Sequence, residues 1–148
     1  MSKPEDYPTK EQILTRIEEE KFSDVEIAII NAWKKQWYTK KWKESTTEHK
    51  REAIETLIAI LAAWYMPYGE TNIAVIWDET NWAYDRKNNI IYGGEPSIIS
   101  TLHELGHAIH SDEELDACAF SIGLFMKCFP QEFRRLSWEG HLLIKNQE

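Results

Sequence analysis

Only two of the 148 residues are cysteine, so no disulfide framework holds this chain together. Cys118 and Cys128 fall in one helical pattern, about 15 Å apart along a straight axis, and there they cannot pair with each other. They are expected to be reduced core residues, not metal ligands. Glycine and proline are sparse, at 6 and 5, which excludes collagen-like and low-complexity chains. No apolar run approaches the roughly 20 residues of a membrane span. Residues 1–6 lack an apolar signal-peptide core, so the expected location is cytoplasmic. Basic residues are the minority, 17 Lys and Arg against 25 Asp and Glu, and the net charge of -8 disfavours nucleic acid as a partner. What remains is 43% hydrophobic and 28% charged, the balance of a globular chain, and the length suits a single domain over 1–148.

The pattern along the chain is α+β. After a loose lead-in holding Pro4 and Pro8, residues 11–20 read as a short helix. Ser23-x-x-Glu26 is a capping box that opens a second helix to about Lys43, with Ile30, Trp33 and Trp37 on its apolar side. Ser45-x-x-Glu48 opens a third, carrying Ile54, Leu57, Ile58, Leu61, Trp64 and Tyr65, and Pro67 and Gly69 stop it. These helices form an N-terminal part over 1–66, and 67–70 is the weak boundary to a second part over 71–129. Residues 71–77 are apolar and β-branched and read as a strand. Residues 82–84 and 89–92 flank Asp85-Arg86-Lys87-Asn88 as a hairpin, giving a small antiparallel sheet. A turn at 93–96 leads to a helix over 97–110, then a tight break. Ser111-x-x-Glu114 is a third capping box for a helix to about Phe129, ended by Pro130. A short helix and a tail from Gly140 complete the chain.

The helix over 97–110 carries the chemistry. Residues 103–107 read His103-Glu104-Leu105-Gly106-His107, an H-E-x-x-H pentapeptide. Histidines four apart lie on one helical face, one turn from each other, and offer two imidazole nitrogens to one metal, for which Zn²⁺ is the usual occupant. Glu104 leaves the helix at another angle and is placed to act as general base on a zinc-bound water. Ile98, Leu102, Leu105 and Ile109 form the apolar stripe, and Pro96 and Ser97 are start signals. Gly106 is costly mid-helix, by roughly 1 kcal/mol relative to Ala, and implies a close approach of another backbone or a metal site. A third ligand is needed, and the segment after the break offers four carboxylates: Asp112, Glu113, Glu114 and Asp116. Their bland explanation is an acidic first turn that suits the helix dipole.

H-E-L-G-H followed by Glu114-x-Asp116-Ala117-x-x-Phe120 resembles the ImmA/IrrE family of metallopeptidases, whose second motif is E-x-E-A-N-x-F-A. The resemblance spans roughly residues 72–126. It implies a zincin-like, gluzincin-type fold whose edge strand binds an extended substrate, and it implies that Asp116 takes the position of the third zinc ligand. Cys118 stands where that family has Asn and Ser121 where it has Ala, and the loop between the motifs is shorter here. Glu113, three residues before Asp116 on the same face, is the rival. In a metzincin-like register it would take the third-histidine position, with His110 at the glycine. The function this implies is a zinc-dependent peptidase acting on an intracellular protein, in the resembled family often a regulator. His141 is the first choice for the group that stabilises the oxyanion, ahead of Tyr92 and His110. Residues 89–92 are expected to offer a backbone ladder to the peptide.

Residues 33–51 interleave Trp33, Trp37, Tyr38 and Trp42 with Lys34, Lys35, Lys40, Lys41, Lys43, Lys50 and Arg51. That segment reads either as a docking face for a protein partner or as a core-facing aromatic stripe beside a solvated lysine face. The alternative function is accordingly a zincin-scaffold binding or inhibitory protein, antirestriction-like or associated with a phage or mobile element, or one whose metal is purely structural.

Overall fold

A computed structural model describes residues 7–39, 42–66, 72–78 and 81–145. The element types read from the pattern are present, with shifted ends. Helix α1 (Lys10–Glu19) opens on a capping box formed by Thr9 and Gln12. Helix α2 (Asp24–Trp37) is capped by Ser23 as expected, but it stops six residues before Lys43. The cause is tertiary: Tyr38 leaves the helix to set its ring edge-on to Phe129 at 5.2 Å and against Trp42 at 4.9 Å. A 3-10 turn (Trp42–Glu44) follows. Helix α3 (Thr47–Tyr65) is capped by Thr46, one residue after the Ser45 expected for that role. The stop at Pro67 and Gly69, the boundary at 67–70, Lys40 and Lys41 lie outside the described residues.

Strands β1 (Ala74–Trp77), β2 (Ala83–Asp85) and β3 (Ile90–Gly93) form one sheet in the order β1-β3-β2. The sheet is mixed and not purely antiparallel, because β1 runs parallel to β3 while β2 pairs with β3 as a hairpin. The hairpin turn is closed by Asp85, whose carboxylate accepts from the Asn88 backbone and side-chain amides, and by Asn89 at φ 55, a left-handed position that Asn tolerates. This topology places β3 in the middle. Residues 90–92 are paired on both sides and offer no ladder to a peptide, so the edges of the sheet are β1 and β2, and β2 is the edge that lies beside the next helix.

Helix α4 (Ile98–Ile109) starts at the Ser97 cap and carries the H-E-x-x-H residues. A four-residue break leads to α5 (Glu114–Cys128). The break departs from the capping box expected at Ser111: the N-cap is Glu113, with no side-chain cap bond, and Glu114 is the first helical residue. Helix α6 (Pro130–Arg134) and a second hairpin, β4 (Leu136–Glu139) with β5 (Leu142–Lys145), complete the fold where a plain tail was expected. Gly140 makes that turn at φ +63.

Helix α5 is buried along 117–125, so it is the central element, covered by α1, α2 and α4. The main core joins Ile54, Leu57 and Leu61 of α3 to Leu102 and Leu105 of α4 and to Phe120 and Leu124 of α5, all at or below 1% exposure. α4 and α5 approach closely at Gly106, where a Cβ would lie 3.1 Å from the Ala117 Cα. That is the close backbone contact the glycine implied. Trp33 is buried, with its indole N–H on the Ala53 carbonyl, while Trp37, Tyr38 and Trp42 pack partly buried against the same core. The aromatics of the basic segment are thus core-facing. Cys118 and Cys128 are free and buried. Among the described residues no helix is long and apolar enough to cross a membrane.

Candidate metal centre

The helical repeat of α4 puts His103 and His107 side by side, with ring centroids 4.9 Å apart and planes at 84°. The sharp break after His110 brings the start of α5 back over them. Glu114 then places one carboxylate oxygen 3.1 Å from His103 Nε2 and the other 3.0 Å from His107 Nε2. One donor atom from each of the three residues lies within 4.8 Å of the others.

Asp116, the position implied by family resemblance, is not part of this cluster. It sits two residues after Glu114, about 200° further round the helix, so only one of the two can face α4. Asp116 is instead bound by Arg16 of α1 at 2.5 Å and by the Ser111 hydroxyl at 2.6 Å. Glu113 is exposed, and its N–H is taken up by the Ser111 hydroxyl oxygen. Asp112 is exposed and paired with Arg86. Of the four carboxylates, Glu114 alone converges on the histidines.

The surrounding bonds explain why the site asks for a cation. His107 Nδ1 lies 2.9 Å from the Ser111 carbonyl, which only accepts, so Nδ1 carries the hydrogen. Nε2 then faces the Glu114 carboxylate with its lone pair unless a proton or a metal ion lies between them. The electrostatics agree. Burial pulls the His107 pKa down, but the bonds to Glu114 and Ser111 outweigh it and the net shift is upward. Hydrogen bonds from His103 and His107 hold Glu114 far below the usual carboxylate range. A tetrahedral ion with ligand bonds of about 2.0–2.1 Å has ligand–ligand edges of about 3.3 Å. The two Glu114–imidazole separations come within a few tenths of an ångström of that, and the three donors, all within 4.8 Å of one another, fit a divalent ion of zinc size once they close around it.

The site is braced from two sides. The Ser111 carbonyl orients His107 while its hydroxyl is held by Asp116, and Asp116 is held by Arg16. Arg86 from the β2–β3 turn donates to the His107 carbonyl and to Asp112. On the other imidazole, His103 Nδ1 approaches the Cys118 thiol at 3.9 Å. Burial, reinforced by Glu114 and Glu104, pushes that thiol up to about 12, so it stays protonated.

Glu104 is 8% exposed, and burial raises its pKa against the pull of the two histidines. Two hollows meet at this residue. One runs past Trp82, Ala83 and Tyr84 at the β2 edge, and the other runs between α4 and α5. His141, from the turn of the second hairpin, borders both and stacks on Tyr7 with centroids 4.3 Å apart. Burial lowers its pKa, with His103 adding to the shift and Glu114 opposing it. The two other oxyanion candidates border neither hollow: Tyr92 is on the central strand, and His110 is exposed with its ring against Phe120. No family model, curated protein or solved structure matches the chain.

Proposed function

We propose that this protein is a zinc-dependent peptidase with a zincin-like site, as its resemblance to the ImmA/IrrE metallopeptidases implies. His103, His107 and Glu114 would hold the ion. The observation that carries the reading is the convergence of two imidazoles and one carboxylate beside a separate, buried glutamate. Two histidines and a glutamate are a donor set of catalytic zinc, which keeps a fourth position open.

A divalent ion in this position supplies Lewis acidity, polarising a carbonyl and acidifying water. Glu104 takes the proton from the attacking water on its carboxylate, whose proton affinity burial raises, and passes it to the leaving amine nitrogen. His141, kept neutral by its lowered pKa, offers one N–H to the carbonyl oxygen as that atom gains charge. The β2 edge gives an extended peptide a backbone to pair with. A peptide laid there reaches Glu104 along the hollow that Trp82 and Tyr84 border.

The test is Glu104→Gln. Zinc-loaded wild type should cut members of a mixed peptide library, read by mass spectrometry. The variant should retain its zinc and lose cleavage by about 10²–10⁴-fold. Equal cleavage by both proteins, or cleavage that survives removal of zinc, contradicts the reading.

A further inference from the structure

The hollow between α4 and α5 has a composition that selects among substrates. At one end stand His103, Glu104 and Glu114, and at the other Ile99 of α4, Ile122 of α5 and Leu143 of β5. Its volume is about 270 Å³. A cavity of about 150 Å³ lined by aliphatic side chains already takes a benzene ring. Among the described residues no lysine or arginine lines it, and the only carboxylates there are the two glutamates at the metal end. The apolar end is part of a built layer, because Ile122 is buried with Ile13 and Cys118, and Ile99 and Leu143 pack against them.

Resting on the peptidase reading, we propose that this hollow is the subsite for one side chain flanking the scissile bond, and that it selects an uncharged apolar residue of leucine to phenylalanine size. The position follows from continuity: a carbonyl held at an ion that His103, His107 and Glu114 would bind lies at the mouth of the hollow, and the adjacent side chain has this cavity to enter. The selectivity follows from the lining. An acidic side chain meets Glu104 and Glu114, and a lysine ammonium carried past them to Ile99, Ile122 and Leu143 is stripped of water with only the Ser100 and Ser121 hydroxyls beside it. Each added methylene in such a pocket is worth about 10–200-fold in discrimination.

The experiment measures binding, not turnover. Zinc-loaded protein is titrated with acetohydroxamate and with dipeptidyl hydroxamates carrying Leu, Phe, Ala, Asp or Lys beside the chelating group. Each affinity is expressed relative to acetohydroxamate on the same protein. The Leu and Phe compounds should bind at least about 10-fold tighter than Ala, with Asp and Lys no better than Ala. Ile122→Trp, which fills the cavity, should abolish the Leu advantage. Leu143→Arg, on the rim hairpin, should turn the preference toward Asp, an outcome that loss of folding cannot imitate. Equal affinity for all five side chains overturns the subsite while leaving the metal site standing. Failure of acetohydroxamate to bind the zinc-loaded protein overturns the peptidase reading and the subsite with it.

Discussion

Glu104 and Glu114 border the same histidines, yet their surroundings drive them apart. Glu114 accepts from two imidazoles and is held ionised, as the proposed ligand role requires, while burial raises the proton affinity of Glu104, as the proposed base role requires. A base works only when deprotonated. The acid limb of kcat/KM should therefore lie above the ordinary carboxylate value of 4.5, with activity falling as pH drops through the raised pKa of Glu104. A rate profile that stays flat down to pH 4.5 would contradict this role. The pair His103 and His107 was legible because spacing along a helix fixes their common face without knowledge of anything else. The third ligand was not. Which carboxylate faces the histidines depends on where α5 begins, and that is set by the Ser111 bonds and by Arg16, a hundred residues upstream of its partner Asp116.

At the level of elements, the α4–α5 turn is what assembles the site, and Gly106 sets how closely the two helices lie. Gly106→Ala gains about 1 kcal/mol of helix propensity. Its methyl group would sit 3.1 Å from the Ala117 Cα and 3.2 Å from Phe120, and overpacking against backbone costs typically about 1–3 kcal/mol. We expect a lower urea midpoint together with weaker zinc binding, and a raised midpoint would contradict the close approach. Helix starts with a Ser or Thr cap were readable to within a residue at Ser23, Thr46 and Ser97, because capping is local chemistry. The parallel pairing of β1 with β3 was not, since it joins strands separated by the hairpin. The β4–β5 hairpin is not legible in the sequence either. Its strands are four residues each, and Gly140 is its only strong turn signal.

For the whole molecule, metal binding and stability are linked. Two histidines and a carboxylate held together in the native fold are not so held in the unfolded chain, so a zinc ion that binds the proposed site would stabilise the folded state. Free zinc at 100 times Kd should add about 2.7 kcal/mol. In a domain of this size that raises Tm by about 5–10 °C, and a chelator should reverse it. An unchanged melting curve would mean that the cluster is an ion-paired patch without a metal. The layered brace of Arg16, Asp116 and Ser111 behind His107 makes α1 part of the site, although α1 supplies no ligand. Groups that orient a metal-binding histidine are typically worth 10–100-fold in metal affinity, whereas a lost ligand removes the site. The decisive measurement is therefore zinc content at equal free zinc for Glu114→Ala beside Asp116→Ala. The account predicts one zinc per wild-type chain, an affinity weakened by about 10–100-fold in Asp116→Ala, and no bound zinc in Glu114→Ala. Zinc retained by Glu114→Ala and lost from Asp116→Ala would contradict it.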